Sequence, residues 1–160
     1  MASCRQFLIL GIALILLSCV EPINLEGFVN HMPAPPIGLN IDFEVSDESP
    51  KLQWSPDEEW WTALKEQGTV TVSLNDSPKI IQVMDQSSFT GIDWYCESST
   101  ALTAAQGVRR TTNPDHECLV ITPGTAPFTD AKTYQMVVVG TKNGQKFGTS
   151  VFIKVVGNSP

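Results

Sequence analysis

The chain has 160 residues, of which 17 are acidic and 10 are basic, and its formal net charge is −7 at pH 7. The charge is uneven, because residues 20–66 contain ten acidic and two basic side chains, whereas residues 67–160 contain seven of each. Nucleic-acid binding requires basic patches that neutralise phosphates, so we expect no nucleic-acid partner. The same balance disfavours attraction to anionic lipid headgroups.

The first twenty residues predict export from the cytoplasm. Arg5 precedes a largely apolar run at residues 7–20, and this run is shorter than the roughly 20 apolar residues that a helix needs to cross a bilayer. The pattern therefore indicates a signal peptide rather than an anchoring helix. About 140 residues remain once the signal is removed, which is enough for one domain with a buried core.

The signal ends in Leu16-Leu17-Ser18-Cys19, which resembles the lipobox of bacterial lipoproteins. The resemblance implies a signal peptide at residues 1–18 and attachment of acyl chains such as palmitate to Cys19. It also implies a location in the cell envelope outside the cytoplasm, at the outer membrane or the cell surface. Two acyl chains hold a protein on a membrane where one chain is marginal. The alternative is an ordinary signal peptide that releases a freely secreted domain, and in a eukaryotic chain the sequence at residues 75–77 would be a glycan acceptor weakened by Pro78.

Residues 19–38 predict a tether without regular structure, because proline and glycine disfavour helices and strands. These breakers are Pro22, Pro33, Pro35, Pro36 and Gly38. Apolar and polar residues then alternate over residues 39–45, which predicts a half-buried strand. We expect residues 39–68 to form an acidic strand-plus-helix segment that packs on a following domain at residues 69–157.

A short helix is predicted at residues 56–66. Ser55 is a typical N-cap residue, Pro56 suits the first helical position, and Gly68 follows about three turns later. The helix would place Trp60, Trp61 and Leu64 on one face, because Leu64 follows the two tryptophans by four and three residues. We expect both tryptophans to cover the edge of the domain core, and the alternative is an exposed aromatic patch that binds a protein or a glycan.

Six short strands are predicted after the helix, at residues 69–74, 79–83, 91–96, 118–121, 134–140 and 147–156. Most are rich in β-branched and aromatic residues, and several are separated by turn signals, so they predict an antiparallel β-sandwich. Asn143 and Gly144 stand between the last two strands and predict a type I′ hairpin turn. The long connection at residues 98–114 contains the one adjacent basic pair of the chain, Arg109 and Arg110. Because arginine is enriched at interface hot spots, this pair is a second candidate for partner binding.

Two cysteines, Cys96 and Cys118, remain after the signal and the lipid-attachment residue are set aside. In an exported domain this pair predicts a disulfide bond. The alternative is a metal site that joins Cys118 to Asp115, His116 and Glu117, but zinc sites draw ligands at suitable spacing from more than one segment. We therefore expect no metal and no other cofactor.

Trp94 on a predicted strand and the spacing from Asp130 to Tyr134 at the start of another resemble the immunoglobulin-like pattern of a buried tryptophan and a tyrosine corner. Met136 stands where that family usually has a cysteine of the inter-sheet cystine. Residues 92–95, 119–124, 134–144 and 151–155 are also similar to the immunoglobulin-like repeats of small surface lipoproteins of spirochaetes. The resemblance implies a rigid, surface-exposed immunoglobulin-like sandwich, and it supplies no catalytic residue. With the helix predicted at residues 56–66, we expect a mainly β fold, an immunoglobulin-like antiparallel β-sandwich with one short α-helix.

The sequence contains few residues that could support catalysis. It has two histidines, no serine-centred glycine turn and no histidine-containing metal motif, although catalysis requires a nucleophile, a base or a metal in a pocket. Asp93 and Glu97 are the one carboxylate pair worth considering for glycoside hydrolysis. We expect a non-catalytic surface module engaged in adhesion or protein–protein interaction, and the alternative is a structural subunit of the envelope.

Overall fold

The computed structural model describes residues 39–111 and 116–157. The predicted signal peptide, the lipid-attachment residue Cys19 and the predicted tether therefore lie outside the described residues. All described residues belong to one compact unit that spans Pro33–Pro160.

Residues 39–111 and 116–157 form nine β-strands and no α-helix, which confirms the predicted mainly β class. The strands are β1 (Leu52–Ser55), β2 (Thr62–Leu64), β3 (Thr69–Ser73), β4 (Lys79–Val83), β5 (Gly91–Cys96), β6 (Val108–Arg110), β7 (Glu117–Ile121), β8 (Thr133–Lys142) and β9 (Gln145–Val156). Two short 3-10 helices, Gln86–Ser88 and Ala104–Gln106, lie in the connections.

The strands form two sheets with one apolar core between them, as in a β-sandwich. The five-stranded sheet has the order β2-β1-β4-β7-β6, and the four-stranded sheet has the order β3-β9-β8-β5. The pair β3 and β9 is parallel, and the other pairs are antiparallel. Both sheets supply fully buried side chains to this core, among them Ile81, Leu119, Trp94, Met136 and Ile153.

The six strands predicted from the sequence are confirmed as β3, β4, β5, β7, β8 and β9, and no strand end differs from the prediction by more than two residues. The predicted hairpin is also confirmed. Asn143 and Gly144 have φ angles of 52° and 79°, and the flanking residues Lys142 and Gln145 are paired. A type I′ turn requires positive φ at both central residues, which asparagine and glycine tolerate best.

The predicted helix at residues 56–66 is wrong. The N-cap signal is real, since the Ser55 hydroxyl oxygen accepts the backbone N–H of Asp57 at 3.2 Å and that of Glu58 at 2.8 Å. Glu58 then has a φ of 67°, which is outside the right-handed helical region and ends the turn. The following residues gain a ladder of backbone hydrogen bonds as β2, which pairs antiparallel with β1.

The predicted strand at residues 39–45 is confirmed in its burial pattern but makes little regular pairing. Leu39, Ile41 and Phe43 pack on the outer face of the four-stranded sheet, in a second apolar cluster that includes Tyr95. Backbone pairing in this segment is limited to one bridge, at Glu44. The segment therefore covers the sheet through its side chains rather than by extending it.

The predicted disulfide bond is not formed, because Cys96 and Cys118 are both free, buried thiols. Cys96 lies on β5 and faces the core between the sheets. Cys118 lies on β7, where Leu119 and Ile121 face the core. Since side chains alternate along a strand, the Cys118 thiol is on the opposite face of the five-stranded sheet, and that sheet separates the two sulfur atoms.

Candidate functional site

The connection between β1 and β2, residues 56–61, is the candidate site and is called here the 56–61 loop. Its conformation is fixed by short-range hydrogen bonds. Beyond the two bonds to Ser55, the Asp57 carboxylate accepts the backbone N–H of Glu59 at 3.0 Å and that of Trp60 at 3.2 Å. The N–H of Glu59 is the largest influence on the pKa of the Asp57 carboxyl and lowers it; desolvation opposes this effect, and the N–H of Trp60 adds a smaller lowering. The same two hydrogen bonds that fix the loop thus favour the ionised form of Asp57.

The two tryptophans of this loop have different environments. Trp60 is 74% exposed, so the expectation that it covers the core is wrong. Trp61 is partly buried, and its indole N–H donates to the Glu58 backbone oxygen at 3.1 Å. Trp61 thus holds the turn in place, while Trp60 presents its ring to solvent.

Arg109 is brought to the same loop by an ion pair with Glu58. Arg109 lies on β6, at the far edge of the five-stranded sheet, and β4 and β7 lie between β6 and β1. Three inter-strand steps of about 4.8 Å separate β1 from β6. The 56–61 loop must therefore extend across the outer face of this sheet to make the contact.

Arg110 does not join this surface. It follows Arg109 directly on β6 and so points to the opposite side of the strand. Its positive charge acts on Glu117, whose pKa is raised by burial and lowered by a hydrogen bond from Trp94 and by Arg110. The bond from the Trp94 indole N–H to Glu117 Oε1 is 3.1 Å long. The structure therefore assembles Trp60, Trp61 and Arg109, and it places Arg110 elsewhere.

The residues considered for catalysis and metal binding do not form a site. Glu97 forms an ion pair with Lys132 at 2.8 Å, and Asp93 is exposed on β5. Residues 39–111 and 116–157 contain no group of three or more histidine, cysteine or acidic side chains that could hold a metal ion. Asp115, one member of the metal alternative, lies outside the described residues.

A cleft of about 690 Å³ lies at the ends of β1, β2 and β4, and nothing in the sequence pattern had indicated it. Its apolar lining includes Leu52, Leu64 and Met84, and its polar lining includes Lys51 and Thr149. The volume is within the range of small-molecule pockets. The Thr149 hydroxyl already donates to a backbone oxygen, that of Pro50, at 2.6 Å.

The contact between Glu58 and Arg109 was missed at the sequence level because β1 was missed. Its signal was weak: Leu52 and Trp54 alternate with polar residues, but the run is four residues long. Without the β1–β2 hairpin, a loop that crosses the sheet cannot be anticipated. The helical prediction also masked the exposure of Trp60, since it assigned both tryptophans to one face.

No helix among the described residues is both long enough and apolar enough to span a membrane. The sequence matches no protein-family model and no curated protein.

Proposed function

We propose that the chain is a lipid-anchored, extracytoplasmic, non-catalytic module with an immunoglobulin-like sandwich, and that it binds a protein partner through Trp60. The role is one of surface adhesion or protein–protein interaction. The exposure of Trp60, at 74% on a loop that is fixed by hydrogen bonds, is the observation that carries the proposal.

The immunoglobulin-like assignment rests on topology and on two side chains. The order β1-β4-β7-β6 faces the order β3-β9-β8-β5, which matches the distribution of strands in immunoglobulin-type sandwiches. Trp94 is 1% exposed on a strand of the second sheet. The Tyr134 hydroxyl bonds to the backbone of Asp130, four residues upstream, as in a tyrosine corner.

A fixed, exposed tryptophan favours binding for an energetic reason. Tryptophan is among the residues that contribute most to interface hot spots, because it buries a large area at a small entropic cost. The hydrogen bonds that Asp57 accepts immobilise the Trp60 backbone before any partner arrives, which reduces the ordering cost of association. Arg109, the other hot-spot residue type, is held beside the same loop by its pair with Glu58.

Site-specific crosslinking tests the binding proposal. A photo-reactive residue is introduced at position 60 of the full-length chain, expressed in cells that export it, and position 84 serves as the matched control. Met84 is a suitable control because it is the other large apolar side chain that is exposed among the described residues, at 44%. We expect an adduct of one defined mass from position 60, and competition by the unmodified protein but not by Trp60→Ala.

The crosslinking result overturns the proposal if position 60 gives no adduct, or if Trp60→Ala competes as well as the parent chain. Loss of fold does not complicate this reading. An exposed side chain without packing partners changes the free energy of unfolding by no more than about 0.5 kcal/mol when it is truncated. Unfolding by urea checks that expectation for Trp60→Ala.

The anchor is tested separately, by the intact mass of the mature protein isolated from membranes. We expect a chain that begins at Cys19 and carries acyl chains, and we expect Cys19→Ala to remove both the added mass and the membrane association. An unmodified chain that begins at another residue would instead make the protein a freely secreted domain. The two tests are independent, since the crosslink at position 60 does not require the lipid.

A further inference from the structure

The outer face of the five-stranded sheet contains a row of polar side chains that solvent does not reach. The strand registers place Gln82 of β4 directly beside Cys118 of β7, and Cys118 directly beside Arg109 of β6. Gln82 is 1% exposed and Cys118 is 0% exposed. A side chain on the outer face of a two-sheet domain is normally in contact with water, so this row must be covered.

The 56–61 loop reaches the outer end of this row. Glu58 crosses the sheet to form its ion pair with Arg109, the immediate cross-strand neighbour of Cys118. Both charged groups also act on the Cys118 thiol, Arg109 lowering its pKa and Glu58 raising it. The strand register places Arg109, and with it the ion pair, directly beside Cys118. Ser55, at the start of the loop, is likewise fully buried.

The 56–61 loop is held by few long-range contacts. The Arg109 and Glu58 side chains are 45% and 41% exposed, and ion pairs with this exposure contribute little stability because water screens them. Within residues 39–111 and 116–157, the remaining hydrogen bonds of the loop join residues inside it or immediately before it. The loop can therefore open without disturbing the paired strands below it.

The buried polar row on the sheet itself favours opening of the 56–61 loop. The Gln82 Oε1 atom is buried and has no hydrogen-bond partner, and a buried acceptor without a partner destabilises the closed state. When the loop opens, water reaches this oxygen. The Gln82 oxygen without a partner is thus a second observation, independent of the burial of Cys118, at this place on the sheet.

We propose that the 56–61 loop is a removable cover, and that Cys118 is a modification site beneath it that forms a mixed disulfide with a low-molecular-weight disulfide. In the closed state burial raises the pKa of the Cys118 thiol to about 11. The covered thiol is therefore protonated and unreactive at neutral pH, since the thiolate is the nucleophile. The inference does not depend on a partner at Trp60 or on the lipid anchor.

The reaction is a thiol–disulfide exchange. The exposed Cys118 thiol releases its proton to solvent, and the thiolate sulfur attacks one sulfur of the disulfide R–S–S–R. The bond between Cys118 and the first sulfur forms as the original S–S bond breaks. The leaving thiolate takes up a proton to give R–SH, so that Cys118 is oxidised and one half of the reagent is reduced.

Cys96 supplies an internal control within the same molecule. It is also a buried free thiol, at 7% exposure, but its cover is the core between the two sheets. Opening of the 56–61 loop exposes Cys118 and leaves Cys96 protected. Global unfolding exposes both.

The test measures the rate at which oxidised glutathione modifies each cysteine of the full-length folded chain, with Cys118 and Cys96 read separately by peptide mass spectrometry. Glu58→Lys replaces the attraction to Arg109 by a repulsion, and we expect Cys118 to react about three- to fivefold faster with no change at Cys96. The charge swap of Glu58→Lys with Arg109→Glu should return the rate to that of the parent chain.

A second variant separates loop opening from a direct effect of charge on the thiol. Trp61→Ala removes the indole bond to the Glu58 backbone and changes no charge, and we expect it to accelerate Cys118 modification as well. Met84→Ala should leave the rate unchanged, because Met84 is an exposed side chain that lies outside the 56–61 loop. The proposal fails if Cys96 accelerates together with Cys118, if Trp61→Ala has no effect, or if the charge swap does not restore the parent rate.

Discussion

Tyr134 fixes the chain just before the longest hairpin of the four-stranded sheet. Its hydroxyl oxygen accepts the Asp130 backbone N–H at 2.8 Å, and its hydroxyl group donates to the Asp130 backbone oxygen at 3.2 Å. The ring packs edge-on against Phe128, with the two centroids 5.4 Å apart. The hydroxyl and the ring thus stabilise the same corner in separable ways.

Removal of this hydroxyl has a defined cost. Tyr134→Phe keeps the contact with Phe128 and removes the partner of the Asp130 backbone N–H, whereas the Asp130 oxygen still accepts the Lys132 N–H at 2.9 Å. We therefore expect the free energy of unfolding to fall by about 1 kcal/mol. Urea unfolding measures the change. Tyr95→Phe is the matched control, since the Tyr95 hydroxyl makes no hydrogen bond within the described residues, and it should cost less than about 0.5 kcal/mol. Equal costs for the two variants would contradict the role given to the corner.

Residue-scale features were predictable where a short local pattern determines the geometry. The four-residue spacing from Asp130 to Tyr134 and the dipeptide Asn143–Gly144 were both identified from sequence, because their hydrogen bonds or φ angles depend on near neighbours. The exposure of Trp60 was not predictable in this way. It depends on the φ of 67° at Glu58, which is an uncommon value for a residue with a side chain.

Among the elements, the segment at residues 39–45 shows how a strand-like pattern can serve as a cover. Phe43 packs over β9 at Gly148, where an added Cβ atom would lie 2.3 Å from Phe43 Cδ2. The Gly148 N–H also donates to the Glu44 backbone oxygen at 2.9 Å. The missing side chain at Gly148 therefore allows this segment to reach the sheet.

Gly148→Ala should displace the segment. The added methyl group forces Phe43 away from β9, and overpacking of this kind lowers the free energy of unfolding by about 1–3 kcal/mol. Thermal or urea unfolding provides the measurement, and Gly91→Ala on β5 is the control, because an added Cβ there meets no atom within 4 Å. In a Phe43→Ala background the cost of Gly148→Ala should largely disappear. Additive costs would show that Phe43 is not the obstacle.

Element-scale prediction succeeded for the longer strands and for the burial pattern of residues 39–45, and it failed for the 56–61 loop. The six strands with strong β patterns were placed correctly, whereas β1, β2 and β6 were missed because each has only three or four residues. The helix at residues 56–66 was predicted from its capping residues, but Ser55 and Asp57 stabilise isolated turns with the same hydrogen bonds. What decided the outcome was the pairing of β2 with β1, a tertiary contact that capping signals do not report.

Each outer face of the sandwich is at least partly covered by a segment from the N-terminal part of the domain. Residues 39–45 cover the four-stranded sheet, and the 56–61 loop covers part of the five-stranded sheet. This arrangement explains the composition of the central strands. β4 and β8 contain consecutive buried residues, as expected when a strand is covered on both faces rather than on one.

The two buried thiols make the stability of the folded chain depend on pH in the alkaline range. Burial raises the pKa of Cys96 from 9.0 to about 12 and that of Cys118 from 9.0 to about 11. Between these values and pH 9 the folded chain holds protons that the unfolded chain releases. The thiols' contribution to stability is therefore fully present below pH 9 and is lost as the pH rises toward 11 and 12.

Replacement of both thiols should reduce this alkaline loss. In the double variant Cys96→Ser with Cys118→Ser, neither buried thiol is left to titrate, so the free energy of unfolding should fall less between pH 9 and about pH 10.5 than it does for the parent chain. Urea unfolding at neutral pH, pH 9 and about pH 10.5 compares the two proteins. The titration of tyrosines and lysines affects both proteins alike, so it cancels in the difference between their free energies of unfolding. The single variants Cys96→Ser and Cys118→Ser show how much of the alkaline loss comes from the thiol in the core and how much from the thiol on the outer face of the sheet. If the free energy of unfolding falls equally for both proteins above pH 9, water already reaches both thiols in the folded chain. That result would contradict the burial assigned here to Cys96 and Cys118.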